Sequence, residues 1–161
     1  MNRHDFLHLI KSLEETPERV RRIVRGLTGA ELRQKQAEHG FSALEHVCHL
    51  RDIEREGYVI RINNLLHKER PFLPDIDGDK LAEQRKYNSQ DIDAALDEFS
   101  RARGESVTAV KALPPIQLSR NGVLENVGPI TIGELLLKIL EHDDEHIRAL
   151  TELRASLARE E

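Results

Sequence analysis

Apolar residues recur every three or four positions along most of the chain, which is the period of a helix with one buried face. Val20, Ile23, Val24 and Leu27 follow this pattern near the N-terminus. No segment shows the alternation of apolar and polar residues that is typical of a half-buried strand, and residues 118–127 would at most form an irregular hairpin. The pattern therefore predicts an all-α protein.

Sequence signals for helix starts divide this pattern into segments. A capping box, in which a hydroxyl residue is followed three positions later by Glu, begins at Thr28, Ser42 and Thr131. Thr16 directly before a proline and Ser89 before two acidic residues predict further starts. With breaks at proline and glycine, these signals predict helices over about residues 3–27 (interrupted at Thr16), 29–36, 43–68, 79–87, 90–113 and 132–158.

The number and length of these helices predict the architecture. Four of them are long enough to pack side by side around one core. A chain of 161 residues is long enough for one domain with a core of its own and too short to expect two. We therefore predict a four-helix bundle that forms a single domain over residues 1–161.

Composition and charge exclude several classes of function. The formal net charge of −5 argues against nucleic-acid binding, which needs a basic surface. No apolar stretch approaches the ~20 residues of a membrane span, and the first residues lack the apolar core of a signal peptide. The single cysteine, Cys48, excludes an intramolecular disulfide and fits a reducing compartment. We expect a cytoplasmic protein with neither a nucleic acid nor a membrane as partner.

Histidines interrupt the apolar faces of two predicted helices. His142 and His146 take two positions of a stripe in the last helix, and their spacing of four residues lets both imidazoles chelate one ion. In the second long helix, His46 and His49 lie on a stripe of the same kind. That stripe comprises Ser42, His46, His49, Ile53, Gly57 and Ile60.

Three neutral imidazoles from two helices would form a metal site with open coordination positions, with His49 or His46 as the third ligand. The alternative is that each histidine is a core residue hydrogen-bonded to a carbonyl or a carboxylate. A carboxylate-bridged di-iron site needs two Glu-x-x-His motifs. The last helix has only Asp143-x-x-His146, so this kind of site is excluded. Metalloprotease chemistry of the HExxH type is excluded because Asp143 follows His142 where that motif has Glu.

Two segments resemble the DinB/YfiT-like family of metalloenzymes. FSALEHVCHLRDIE, residues 41–54, is similar to the family's aromatic-Ser start followed by His-Leu and an acidic residue. Residues 118–150 resemble its Arg-Gly turn, Gly-x-hydroxyl helix start and closing HDxxH, and order and spacing agree over nearly the whole chain. The resemblance implies a DinB-like four-helix bundle of up-down-down-up type that pairs as a homodimer and holds nickel, zinc or another divalent ion.

The resemblance also implies which residues bind the metal. His49, the histidine of His-Leu, would be the first ligand, and His142 and His146 would be the second and third. His46 could replace His49 as the first ligand, or it could contact one of the ligands and support it. Phe41 stands where the family usually has Trp, which we expect to affect packing at the helix start more than the metal site.

By the same resemblance, the chain would be a metal-dependent enzyme acting on a small-molecule substrate, either a hydrolase or a transferase that uses a low-molecular-weight thiol. Asp143 and Glu145 are candidates for orienting an imidazole or acting as a base, and Arg120 and Asn121 for binding an anionic substrate. Cys48 is predicted to be a buried structural thiol. Two alternatives stay open: a non-catalytic metal-binding stress protein, and a bundle that has lost its activity and only dimerises.

Overall fold

The structure of the chain, a computed structural model, describes residues 1–160, and residue 161 of the predicted domain lies outside the described residues. The helices are α1 (Arg3–Val24), α2 (Gly29–Arg33), α3 (Ala43–Asp52), α4 (Val59–His67), α5 (Gly78–Gln84), α6 (Ile92–Lys111) and α7 (Ile132–Glu160). The strands are β1 (Phe72–Leu73), β2 (Asn121–Leu124) and β3 (Gly128–Thr131). A π-helical segment, Ile53–Tyr58, joins α3 to α4, and short 3-10 turns lie at Tyr87–Ser89 and Pro115–Ser119.

Four long helices form a bundle, as the sequence predicts: α1, the continuous helix made of α3, the π segment and α4, then α6 and α7. Both α1 and α3 pack against α6 and α7, which places α1 and α3 at opposite corners. None of the described helices combines the length and the apolar character of a membrane span.

The helix starts follow the predicted capping boxes. At Thr28, Ser42 and Thr131 the side chain accepts a hydrogen bond from the backbone three residues on, and the Glu there accepts one from the capping residue's N–H. The start predicted at Ser89 is wrong by two residues. Asp91 caps α6 instead, because its carboxylate accepts a backbone hydrogen bond at 2.8 Å.

The helix α1 is continuous at Thr16, where the sequence predicts an interruption. The Thr16 hydroxyl donates to the carbonyl of Ser12 at 3.1 Å, within the helix, instead of capping a new one. Pro17 lies inside α1 and has no N–H, so the carbonyl of Leu13 loses its helical partner. That carbonyl is therefore free to accept a hydrogen bond from a group outside α1.

The π segment changes which residues of the long helix face the core. The N–H of Val59 donates to the carbonyl of Glu54, five residues earlier, so this turn holds more residues than an α-helical turn and rotates α4 relative to α3. Ile60, predicted to share the face of His46 and His49, is 49% exposed as a result.

A small sheet lies next to the start of α7. β2 and β3 form an antiparallel hairpin that leads into α7, and β1 pairs in parallel with β2. The hairpin is more regular than predicted, because strands of two to four residues are too short to show alternation. Arg120, a candidate for anion binding, instead caps α4 by donating to the carbonyls of Leu65 at 2.7 Å and Lys68 at 3.1 Å. Asn121 pairs with Thr131 in the hairpin.

Two apolar clusters fill the core, and a polar layer separates them. On α6, Phe99 belongs to one cluster and Val107 to the other, with Arg103 between them. On α7, Asp143 lies between members of the two clusters in the same way. Both charged residues are almost completely buried.

The guanidinium of Arg103 connects all four helices of the bundle in this layer. It donates to the two carboxylate oxygens of Asp143 at 2.6 and 2.9 Å and to Glu54 at 2.8 Å. It also donates at 3.1 Å to the carbonyl of Leu13, the one that Pro17 leaves without a helical partner. Burial alone would lower the pKa of Arg103, but the two carboxylates raise it above its ordinary value, so the group keeps its charge.

Replacing Arg103 by Met should lower the free energy of unfolding by about 3–5 kcal/mol, because two buried carboxylates would lose the positive charge that pairs with them. The control is Arg101→Met on the exposed side of α6, which should change it by less than about 0.5 kcal/mol. Urea denaturation followed by circular dichroism measures both values. A loss below about 1 kcal/mol for Arg103→Met would contradict the role given to this ion cluster.

Candidate metal centre

His49 on α3 and the pair His142 and His146 on α7 converge on one point between these helices. Each residue offers a ring nitrogen, and the three nitrogens lie within 4.8 Å of one another. Nε2 of His49 is 3.1 Å from Nε2 of His142, and the ring centroid of His146 is 4.6 Å from both other rings. The structure thus brings together the three residues that the sequence predicts as ligands.

The separation of these nitrogens fits a divalent ion. Two imidazole nitrogens bound at zinc distances, with bond angles between octahedral and tetrahedral values, lie about 2.9–3.4 Å apart. The 3.1 Å between Nε2 of His49 and Nε2 of His142 falls within that range. Among the side chains that the structure describes, no cysteine, carboxylate or fourth histidine completes the group, so the site offers three protein donors.

The three imidazoles are neutral at pH 7, as metal ligands must be. Burial lowers the pKa of His49 to about 4, of His142 to about 3 and of His146 to about 2. The neighbouring histidines lower the pKa of His142 and of His146 further. Each of the three residues is nevertheless partly exposed.

The other ring nitrogen of two of these residues has no partner. Nδ1 of His49 and Nδ1 of His142 are buried, and neither forms a hydrogen bond within the described part of the chain. An unpaired buried polar atom costs about 1–3 kcal/mol, and a histidine retained for packing would normally be bonded to a carbonyl or carboxylate. These two rings instead turn their Nε2 atoms toward each other. An ion bound between the two Nε2 atoms would leave both Nδ1 atoms unpaired, so it is the convergence of the Nε2 atoms that favours a shared ligand over packing alone.

Gly78, the first residue of α5, forms the wall against which the His49 ring rests. A Cβ at residue 78 would lie 2.7 Å from Nδ1 of His49 and closer still to Cε1 of that ring. Only a residue without a side chain allows the backbone to come this near.

Asp52, one turn after His49, anchors the segment that carries this glycine. Its carboxylate accepts hydrogen bonds from Arg85 and from the hydroxyl of Tyr87, both at 2.7 Å. Arg85 also donates to both oxygens of Glu56, at 2.8 and 3.0 Å. The helix that presents His49 and the segment that supports its ring are therefore tied together by the carboxylates of Asp52 and Glu56.

His46 lies beside the three histidines without joining the group. Its Nδ1 is 2.7 Å from Nδ1 of His146, and burial lowers its pKa to about 4. The ring of Phe41 contacts both His46 and His49, with centroid distances of 5.5 and 5.4 Å. The substitution of Phe for the family's Trp thus lies next to a candidate ligand as well as at the helix start.

The polar residues next to these histidines in sequence serve other purposes. Asp143 gives both carboxylate oxygens to Arg103, so it is not the base or the imidazole partner that the sequence suggests. Glu145 is exposed on α7. Cys48 is a buried structural thiol, as predicted, and burial raises its pKa to about 11.

Sequence reasoning missed two residues that shape the site. Arg103 lies on a stripe of α6 with Phe99 and Val107, so a charge on an apolar face was the available signal. Gly78 gave no signal, because its contact with His49 joins the start of α5 to α3, two segments that are distant in sequence.

Comparison with known proteins places the chain in a family. The family model of the DinB superfamily matches residues 12–150, whereas no curated protein matches the chain. Among solved structures, YfiT from Bacillus subtilis, described as a probable metal-dependent hydrolase with an unusual four-helix bundle topology, aligns with a TM-score of 0.91 at 22% sequence identity. The alignment covers 98% of this chain and 90% of that one, and at this identity it shows a shared fold. Because the family model spans most of its length, the chain belongs to the DinB superfamily.

Proposed function

We propose that the chain is a metal-dependent hydrolase that holds one divalent ion on His49, His142 and His146. The observation that carries the proposal is the convergence of three neutral imidazoles with no fourth protein donor among the described residues. Three protein donors with open positions are typical of catalytic sites, whereas structural zinc sites are closed by four. The description of YfiT as a probable metal-dependent hydrolase supports the same class of reaction.

A divalent ion bound there would supply Lewis-acid chemistry, because it polarises a carbonyl or phosphoryl oxygen and lowers the pKa of water. Other residues of the chain hold the three histidines in position. Arg103 binds Asp143 and thereby fixes the turn of α7 that carries His142 and His146. The backbone at the start of α5 supports the third imidazole.

We propose zinc or nickel as the ion, because imidazole nitrogen suits both. The chain supplies no reactive thiol of its own, since Cys48 is buried and the pKa of its thiol is raised. A transferase reaction at this site would therefore need a low-molecular-weight thiol as a second substrate. Assays with and without added thiol separate that reaction from hydrolysis.

Purified tag-free protein should contain about one divalent ion per chain, measured by elemental mass spectrometry. We expect His49→Ala and His142→Ala to lose nearly all of it, because each removes one of three donors. His39→Ala, at an exposed histidine, is the control and should keep it. Hydrolysis of a panel of ester, amide and phosphate-ester substrates should require the ion and stop on chelation.

X-ray absorption spectroscopy of the loaded protein then distinguishes an enzyme from a protein that only stores or senses metal. Three nitrogen donors with additional oxygen from water support a catalytic site. A shell filled by four protein donors would support a non-catalytic metal-binding protein. Wild-type protein that takes up neither zinc nor nickel would overturn the proposal.

Replacing Gly78 by Ala should weaken zinc binding by about 10–100-fold, the range seen when the support of a ligand is lost, because the new Cβ displaces the His49 ring. Gly104→Ala on α6 is the matched control, since nothing lies within 4 Å of its added Cβ. It should leave zinc affinity unchanged and raise the free energy of unfolding by about 0.5–1 kcal/mol. Competition with a chromophoric chelator measures affinity, and equal values for both variants would rule out this support.

A further inference from the structure

The contact between His46 and His146 is a hydrogen bond between two ring nitrogens. The two Nδ1 atoms lie 2.7 Å apart, and the ring planes are inclined by 73°. At this distance one nitrogen carries the proton and the other accepts it. Which ring donates depends on the tautomer of each ring, that is, on whether its other nitrogen, Nε2, is protonated or binds an ion.

The position of this contact decides which nitrogen of His146 is available to an ion. The two nitrogens of an imidazole point away from each other, so with Nδ1 turned to His46, Nε2 is left for the side of His49 and His142. A nitrogen that binds a metal is unprotonated, so the proton of the neutral His146 ring must then sit on Nδ1. His146 is therefore the donor and His46 the acceptor.

The start of α3 fixes His46 in place independently of any ion. Ser42 and Glu45 form the capping box, with hydrogen bonds of 2.8 and 3.1 Å, and the N–H of His46 donates to the carbonyl of Ser42 at 3.0 Å. Phe41, just before the cap, packs edge-on against the His46 ring at 5.5 Å, in the positions of a hydrophobic staple. The acceptor is therefore pre-positioned by local helix structure.

We propose that His46 is a positioning residue that accepts a hydrogen bond from Nδ1–H of His146 and so fixes the tautomer and ring orientation in which His146 Nε2 binds the ion. The inference rests on the proposed function, because it needs an ion at the three histidines. Acceptors in this role are usually carboxylates, backbone carbonyls or water. Among the described residues, neither Nδ1 of His49 nor Nδ1 of His142 has a hydrogen-bond partner. Of the three proposed ligands, His146 is therefore the one that a hydrogen bond to a side chain orients.

The test compares His46→Phe with His46→Asn in the full chain. Phe keeps a ring against Phe41 but cannot accept a hydrogen bond, whereas the side-chain oxygen of Asn can accept near the position of Nδ1. We expect the zinc affinity, measured by chelator competition, to fall about 10–100-fold in His46→Phe and to stay within about threefold of wild type in His46→Asn. His67→Phe, at an exposed histidine, is the control and should leave affinity unchanged.

Nuclear magnetic resonance of the zinc-loaded, ¹⁵N-histidine-labelled protein gives a readout that a purely structural role would not alter. The Nδ1–H proton of His146 should exchange slowly in the wild type and in His46→Asn. It should be lost in His46→Phe, because no acceptor shields it from water. Circular dichroism checks that the variants fold, and His46→Ala replaces His46→Phe with the same expectation if the latter does not.

Three results would overturn the inference, each in a different way. Unchanged zinc affinity and an unchanged Nδ1–H signal in His46→Phe reject the positioning role and leave the three-histidine site standing. Zinc binding that survives His49→Ala but is lost in both His46 variants makes His46 a ligand in place of His49. Wild-type protein that binds no zinc removes the proposed function, and the inference with it.

Discussion

The positively charged guanidinium of Arg103 lies in the middle of the bundle. The groups that bind it come from the surrounding helices and hold those helices together at this level. A guanidinium removed from water is costly unless anions pair with it. Asp143 on α7 and Glu54 in the π segment supply the anions. α1 supplies the carbonyl of Leu13, which is available because Pro17 has no N–H. Each bundle helix thus contributes one group to a single buried ion cluster.

This ion cluster also brings the histidines together. Asp143 directly follows His142, and Glu54 comes five residues after His49. When both carboxylates bind the same guanidinium, the turns that precede them are held side by side, and the Nε2 atoms of the two histidines lie 3.1 Å apart. The ion cluster and the candidate metal centre therefore belong to one polar layer between two apolar clusters.

Periodicity predicted the parts of this arrangement that depend on a regular helix. An α-helix repeats every 3.6 residues, so the sequence was enough to place the histidines on inner faces and to predict the bundle. The π segment breaks that repeat and leaves Ile60 exposed, and no local pattern in the sequence indicates it. The contact of Gly78 with His49 could not be predicted for another reason: only the folded chain brings the start of α5 against α3.

Two residues outside the group of three histidines control different properties of the site. Arg103 fixes where the turn of α7 lies, because it binds Asp143, so its effect on the site passes through the stability of the fold. His46 contacts the ring of His146 directly, and its own position is set by the capping box of α3. Its effect is on the tautomer and rotation of one imidazole. The position and the orientation of these imidazoles are therefore set by separate interactions. Under the proposed function, a change at residue 46 should alter metal affinity while the bundle stays intact.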